Sequence, residues 1–287
     1  MSPSTHDLEP PAPTANDFLV LDDPSFGPET VAVVTGAASG IGRSLSTALA
    51  MNGLTVVGAD VDEDGLEETA DLVDSFDHDG RYLSVPTDLT DDGDVEAVVE
   101  AAAEEGDLSF VANVAGLQHI SPIRSFPIEQ FDLLQLVMVR APFLLAKHAM
   151  DHIAESGDGT GAIANMSSVH GHYATTDKAA YITAKHAING LTKSIAAEGM
   201  GDVRSFSVSV GYVLTPLMAD QIADSASNRG LSERKVLEEV MLGPARTKEM
   251  MTPADVANLF VFGFSEYASH LNGADLLFDG GYTTTYE

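Results

Sequence analysis

The feature that most constrains this 287-residue chain is a short apolar run, Val31-Ala32-Val33-Val34, that passes directly into Thr35-Gly36-Ala37-Ala38-Ser39-Gly40-Ile41-Gly42 and then into a helical pattern ending at Asn52-Gly53. A nearly continuous β run is what a strand buried on both faces looks like. Glycines spaced Gly-x-x-x-Gly-x-Gly let the backbone turn sharply and come close to a bound group. The helix that follows offers its unpaired N–H groups and positive dipole end to an anion. A glycine cluster alone is a weak signal, but one lodged between a strand and a helix predicts a phosphate-binding turn of a dinucleotide site.

The rest of the chain repeats that alternation. Strands are predicted at Thr55 to Asp60, Arg81 to Val85, Ser109 to Asn113, Ala162 to Met166, Val203 to Val210 and Ala274 to Phe278. Amphipathic helical stretches lie between them, among them Asp91 to Glu105, Ile128 to Glu155 and Ala179 to Met200. Regular β-α alternation predicts an α/β fold, a doubly wound parallel seven-stranded sheet with helices on both faces, in one domain over residues 29–287. Residues 1–28, with Pro10, Pro11 and Pro13 and little periodicity, read as an acidic leader, disordered or loosely docked.

Composition excludes several classes of partner. Asp plus Glu number 44 against 14 Lys plus Arg, for a formal charge of −30. Such a surface repels nucleic acid and anionic membranes. No apolar run is read as approaching the roughly 20 residues a membrane span needs, and the N-terminus lacks the pattern of a secretory signal, so the expectation is a soluble, cytoplasmic protein. The chain has no cysteine, hence no disulfide and no thiolate metal site. Self-repulsion of so many carboxylates is relieved as the Debye length falls from ~10 Å at 0.1 M salt to ~3 Å at 1 M. With only six lysines, the composition points to a salt-in halophile as host; an ordinary acidic enzyme is the alternative.

Asp60 closes the second strand, 24 residues after Gly36. A carboxylate there can accept hydrogen bonds from ribose hydroxyls and repel a 2′-phosphate, which predicts NAD rather than NADP; a solvated turn residue is the other reading. Asp88, after the third strand, is placed to reach the adenine end. Beyond the fifth strand stands Ser168, followed by Tyr181 and Lys185, which share a helix face at i, i+4. A tyrosine titrates near pH 10 when unperturbed. A neighbouring ammonium, with a cationic ring of a bound cofactor, would favour phenolate and make Tyr181 an acid–base group, with Ser168 donating to the reacting oxygen. His119, His148, His152, His172 and His186 form no convincing metal set, so no metal is expected.

Thr35 to Gly42, Asn113-x-Ala115-Gly116, Ser168, Tyr181-x-x-x-Lys185 and Asp279-Gly280-Gly281 together resemble the short-chain dehydrogenase/reductase family, over about Thr30 to Tyr282. The resemblance implies a Rossmann-type sheet, a homotetramer, and catalysis by Ser168, Tyr181 and Lys185. It implies cofactor contacts from Gly36, Ser39, Gly40, Ile41 and Gly42, from Asp60 and Asp88, and from Asn113, Ala115 and Gly116. Tyr181, Lys185, Val213 and Thr215 complete that set, and the segment 214–245 is implied to be a lid over the substrate.

Ala115 to His119, Ser167 to Gly171, Lys178 to Tyr181 and Gly211 to Leu217 further resemble the 3-hydroxybutyrate dehydrogenases of that family. By that likeness Gln118, His170, Lys178 and Gln221 grip the carboxylate of a small hydroxy acid. A 3-oxoacyl or acetoacetyl thioester reductase is the alternative enzyme. Departures are Val114, Phe206, Val210, Tyr212 and Tyr282, and above all Met138, where the family carries an Asn that holds a water in a proton relay. A thioether cannot replace that amide, which keeps open a non-enzymatic reading, an NAD-binding paralogue with little turnover.

Overall fold

A computed structural model describes residues 11–156 and 161–285. Seven parallel strands form one sheet in the order β3-β2-β1-β4-β5-β6-β7. They are β1 (Thr30–Thr35), β2 (Thr55–Asp60), β3 (Arg81–Pro86), β4 (Asp107–Asn113), β5 (Ala162–Met166), β6 (Arg204–Val210) and β7 (Ala274–Phe278). The helices are α1 (Gly40–Met51), α2 (Glu63–Asp74), α3 (Asp92–Glu104), α4 (Ile128–Gln135), α5 (Ala141–Glu155), α6 (Ala179–Glu198), α7 (Pro216–Arg229), the short α8 (Glu233–Lys235) and α9 (Pro253–Phe264). The predicted strands agree with these to within two residues at each end.

The pleat of β1 divides the core. Val31 and Val33 face one layer with Val95, Val98 and Val99 of α3, Leu145 and Ile153 of α5 and Ile195 of α6. Ala32 and Val34 face the other, with Leu45 and Leu49 of α1, Leu66 of α2 and Phe260 and Phe264 of α9. Burial of alternate residues on opposite faces is what a strand with period two requires when both faces are covered. The strand order reverses between β1 and β4, the two strands paired at Val33↔Val111. Ligand crevices in open α/β sheets form beyond the carboxyl ends of strands at such a point.

Three features differ from expectation. Residues 14–28 are docked rather than loose: Phe18 is buried and meets Phe76 edge-on at 5.8 Å, and Leu19, Leu21 and Phe26 pack on the same core. Asn52 at the end of α1 and Asn258 in α9 strap this segment down, receiving the N–H groups of Leu21 and Leu19 at 2.8 Å each. The apolar spacing was masked by the surrounding prolines and acids; residues 1–10 lie outside the described residues. Second, the predicted helix over 128–155 contains a π-helical segment at Leu136–Arg140. Third, that 28-residue run is, by length and composition alone, apolar enough to cross a membrane. Its Leu134, Leu145, Ala149 and Ile153 are instead committed to the protein core.

Candidate active site

At the crevice, the Thr35 hydroxyl accepts the N–H groups of Val114 (3.0 Å) and Ala115 (3.2 Å), which binds the end of β1 to the loop leaving β4. That closeness requires glycine at position 36: its φ is +70°, and a Cβ would stand 2.8 Å from Ala115 Cα. A Cβ at Gly42 would stand 2.0 Å from the Gly36 carbonyl oxygen. Ser39 occupies the N-cap position of α1, yet its hydroxyl makes no capping bond. By contrast, Asp62, Asp91, Thr215 and Thr252 cap α2, α3, α7 and α9. The first N–H groups of α1 lack intrahelical partners and open onto the crevice. Asp60 stands at the end of β2, its carboxylate held by the N–H groups of Ala38 and Asp62 at 3.2 Å each. A backbone cradle that a single Cβ would fill, an uncapped helix end and an anchored carboxylate fit a dinucleotide cofactor.

These groups line one cavity of about 580 Å³ that continues past Ala115, Gly116, Ser168, Tyr181 and Lys185 to Lys178 and Gln221. Ile41, Asp88, Val213 and Thr215 also border it. Asp88 is engaged in a turn, accepting the N–H and hydroxyl of Thr90 at 2.8 Å each, which holds its carboxyl below the usual range. Two expected site residues are elsewhere. Asn113 is turned beneath the cavity: it pairs in register with Asn165, its amide donates to the Asn165 carbonyl at 2.9 Å, and Asn165 donates to Thr192 of α6. Gln118 does not line the cavity either; its carbonyl oxygen takes the adjacent His119 N–H, which holds the side chain against its own backbone.

Ser168, Tyr181 and Lys185 are brought together at this cavity. Ser168 caps the 3-10 turn Val169–Gly171, accepting the His170 N–H at 3.2 Å. Lys185 is buried, its Nζ donates to the Met166 carbonyl at 2.7 Å, and it lies 5.4 Å from the Tyr181 ring centre. Burial pushes the Lys185 amine down to about 8. Burial also pushes the Tyr181 phenol up, opposed by a hydrogen bond with Ser168. Lys185 thus donates to Met166 rather than to the phenol, and the combination expected to favour phenolate, an ammonium with the cationic ring of a bound cofactor, has this desolvation to overcome. Met138, within the π-helical segment, is buried with Leu134, Ala180 and Ala184 and packs beside Tyr181.

Of the expected carboxylate grip, Lys178 and Gln221 already touch, with Lys178 Nζ donating to Gln221 Oε1 at 3.1 Å. Burial and the nearby Arg229 lower the Lys178 amine to about 8. His170 lines the cavity but both ring nitrogens face side-chain hydroxyls, Nδ1 toward Ser168 at 3.5 Å and Nε2 toward Thr175 at 3.2 Å. Sequence reasoning passed over Thr35, although a hydroxyl immediately before the glycine turn was the available signal. It also passed over Thr175. Tyr212, a departure from the family pattern, lines the cavity and meets Tyr282 edge-on at 5.9 Å, while Tyr282 stacks on Tyr173 at 5.5 Å and Tyr173 on His170 at 5.2 Å. His148 and His152, at helical spacing, face Glu96 and Glu100 of α3.

Residues 36–283 match the family model described as enoyl-(acyl carrier protein) reductase. The chain is 35% identical to D-beta-hydroxybutyrate dehydrogenase of Rhizobium meliloti over 88% of this chain and 98% of that protein. It is 33% identical to 2-(R)-hydroxypropyl-CoM dehydrogenase of Xanthobacter autotrophicus, again over 88% and 98%. The crystal structure of L-sorbose reductase from Gluconobacter frateurii, complexed with NADPH and L-sorbose, superposes with a TM-score of 0.82 at 28% identity, covering 91% of this chain and all of that one.

Proposed function

Since the chain belongs to the short-chain dehydrogenase/reductase family, and is by that membership an oxidoreductase built on a nicotinamide-binding fold, we propose that it interconverts a small 3-hydroxy acid, first of all 3-hydroxybutyrate, and the 3-oxo acid with NAD. The observation that carries this reading is Lys178, a buried ammonium paired with Gln221 and three residues before Tyr181 in the same cavity. A cation with an amide beside it is a natural partner for a free carboxylate, less so for a thioester. Its place close to the acid–base tyrosine keeps the acid short.

The cofactor, when bound, supplies the two-electron acceptor for the hydride leaving the carbinol carbon. Tyr181, once its phenol is ionised, takes the proton from the substrate hydroxyl, so that hydride and proton leave from carbon and oxygen respectively. Ser168 donates to the same oxygen, and Lys185 holds positive charge beneath the phenol, secured by Met166. Asp60 supports NAD over NADP by charge, even though the sorbose reductase carries NADPH. The remaining cofactor contacts, from Gly36 through Gly42 and from Ala115, Gly116, Val213 and Thr215, follow from the shape of the cradle. Segment 214–245, with a small apolar cluster of its own around Met218, Ile222, Val236 and Met241, serves as the substrate lid.

Exposed apolar side chains at two places support a homotetramer: Ile128 and Phe143 along α4 and α5, and Leu277 and Phe278 on edge strand β7. The charge of −30 supports a cytoplasm rich in KCl and argues against nucleic acid and membrane partners. The test is NADH formation from (R)-3-hydroxybutyrate in molar KCl. Turnover abolished by Tyr181→Phe, and a raised KM with Lys178→Ala, is the expected pattern. The apolar packing of Met138 beside Tyr181 favours one competing reading, a paralogue that binds NADH without turnover; NADH binding with no oxidation of any hydroxy acid would establish it.

A further inference from the structure

Arg43 follows the last glycine of the turn, on α1, and its side chain reaches back to the turn itself. Its Nη2 donates to the Ala38 carbonyl, to the Gly65 carbonyl at 3.2 Å and to the Glu68 carboxylate at 2.8 Å. Its Nε donates to the Thr69 hydroxyl at 3.1 Å. Thr69 is fully buried, and its own proton goes to the Ala37 carbonyl at 2.8 Å or the Gly65 carbonyl at 2.9 Å. Every direction in this set is fixed by chemistry, because a guanidinium only donates and a carbonyl only accepts. The carbonyls of Ala37 and Ala38 are therefore both drawn toward the side of α2.

Two successive peptide units of the turn are held in one orientation. In the first, Thr69 faces the Ala37 carbonyl and Asp60 accepts the Ala38 N–H at 3.2 Å. In the second, Arg43 takes the Ala38 carbonyl. A trans peptide is planar, with its N–H and C=O on opposite sides. The Ser39 N–H thus points away from Arg43, toward the cavity that Ser39 lines. Among the described residues, that N–H has no hydrogen-bond partner. With Arg43 removed, this unit is free to rotate and turn a carbonyl oxygen toward the anionic oxygens of a cofactor.

We propose that Arg43 is a positioning residue of the cofactor site: by holding the Ala38 carbonyl on the α2 side, it aims the Ser39 N–H at an oxygen of the bound dinucleotide. This rests on the reading of the crevice as a dinucleotide site and is independent of which alcohol is oxidised.

The test uses the full chain labelled with ¹⁵N-serine, with Ser39→Ala identifying the Ser39 amide signal. Molar KCl shortens the Debye length to roughly 3 Å, which removes long-range attraction by the Arg43 charge. NADH, and ADP as the adenosine half of the cofactor, are titrated separately. In the parent protein the Ser39 amide proton moves downfield with each ligand; in Arg43→Met it stays in place at saturation. Both Kd values rise by the same factor, about tenfold. Glu68→Ala, which loses only an exposed ion pair, changes them less than about threefold. A Ser39 amide that ignores bound NADH in the parent overturns the proposal, as does an Arg43→Met protein that binds both ligands like the parent. A loss of NADH affinity with ADP affinity intact, or a Glu68→Ala effect as large as that of Arg43→Met, overturns it too. Should Arg43→Met not fold, Arg43→Lys replaces it with the same readouts, since one ammonium cannot serve Ala38, Gly65 and Thr69 together. A protein that binds neither ligand removes the dinucleotide reading and this inference with it, whereas failure to oxidise any hydroxy acid touches the proposed function alone.

Discussion

Replacing Asp60 by asparagine keeps the size of the side chain at the end of β2, removes one charge and gives up one of its two backbone hydrogen bonds, because an amide nitrogen cannot accept an N–H. In the parent protein the N–H groups of Ala38 and Asp62 fix both carboxylate oxygens, so the side chain cannot swing away from an approaching phosphate. Two unit charges 4 Å apart interact by about 1 kcal/mol in water and by about 4 kcal/mol at an effective dielectric of 20. A half-exposed carboxylate at the cavity edge falls between these, giving about 2 kcal/mol against a 2′-phosphate, or about 30-fold in Kd. The neutral amide also loses a charge-assisted bond to the ribose, about 1 kcal/mol against NADH. Asp60→Asn should therefore shift the NADPH-to-NADH Kd ratio by about 3 kcal/mol, on the order of 100-fold. Nicotinamide fluorescence titrations with both cofactors at low and at molar KCl measure this directly; part of the effect is screened at the higher salt. A ratio that moves less than about threefold, against the Coulomb estimate, refutes the electrostatic argument. Tighter binding of NADPH than NADH by the parent protein refutes it before any substitution.

Three further outcomes follow from burial and charge. The Lys178 amine is lowered to about 8, so the folded state binds its proton more weakly than the unfolded chain does. Its cost is full below pH 8 and relieved as pH rises toward its ordinary value of 10.5, so Lys178→Met should melt higher at pH 7, by up to about 3 kcal/mol, with the gain shrinking at alkaline pH. A variant less stable than the parent at pH 7 would contradict the burial argument. Phe18→Ala should cost about 3 kcal/mol in denaturant titrations, whereas a leader that is loose would register almost nothing. Across a KCl series from 0.1 to 2 M, relief of like-charge repulsion over roughly one shrinking Debye length should raise Tm; a flat series sinks the halophile reading.

Much of the site was readable because its markers are local. Gly36 and Gly42 announce a turn that no other residue can make, and Tyr181 and Lys185 share a helix face by spacing alone. Asp60 is placed by the end of a strand with an unambiguous apolar pattern. Lys178 and Gln221 were nominated by likeness, and only the fold set them 3.1 Å apart across 43 residues of chain. Gln118 was nominated by that likeness and Asn113 by the wider family resemblance, yet both side chains turn away from the cavity, Asn113 because the β4–β5 register puts Asn165 directly beside it.

By itself, then, the sequence determined the strands, the helices, the glycine cradle and the order in which chemistry-bearing residues meet the crevice. These depend on periodicities of 2 and 3.6 residues and on backbone turns, which neighbouring residues decide. Tertiary structure decided the rest. Docking of residues 14–28 depends on Asn52 and Asn258, one of them 239 residues away. The upward shift of the Tyr181 phenol depends on how much protein surrounds it, and the engagement of both His170 nitrogens depends on a hydroxyl at Thr175 that no spacing rule singles out. Side-chain direction and desolvation arise from contacts between distant segments, so they come into being only when the chain has packed.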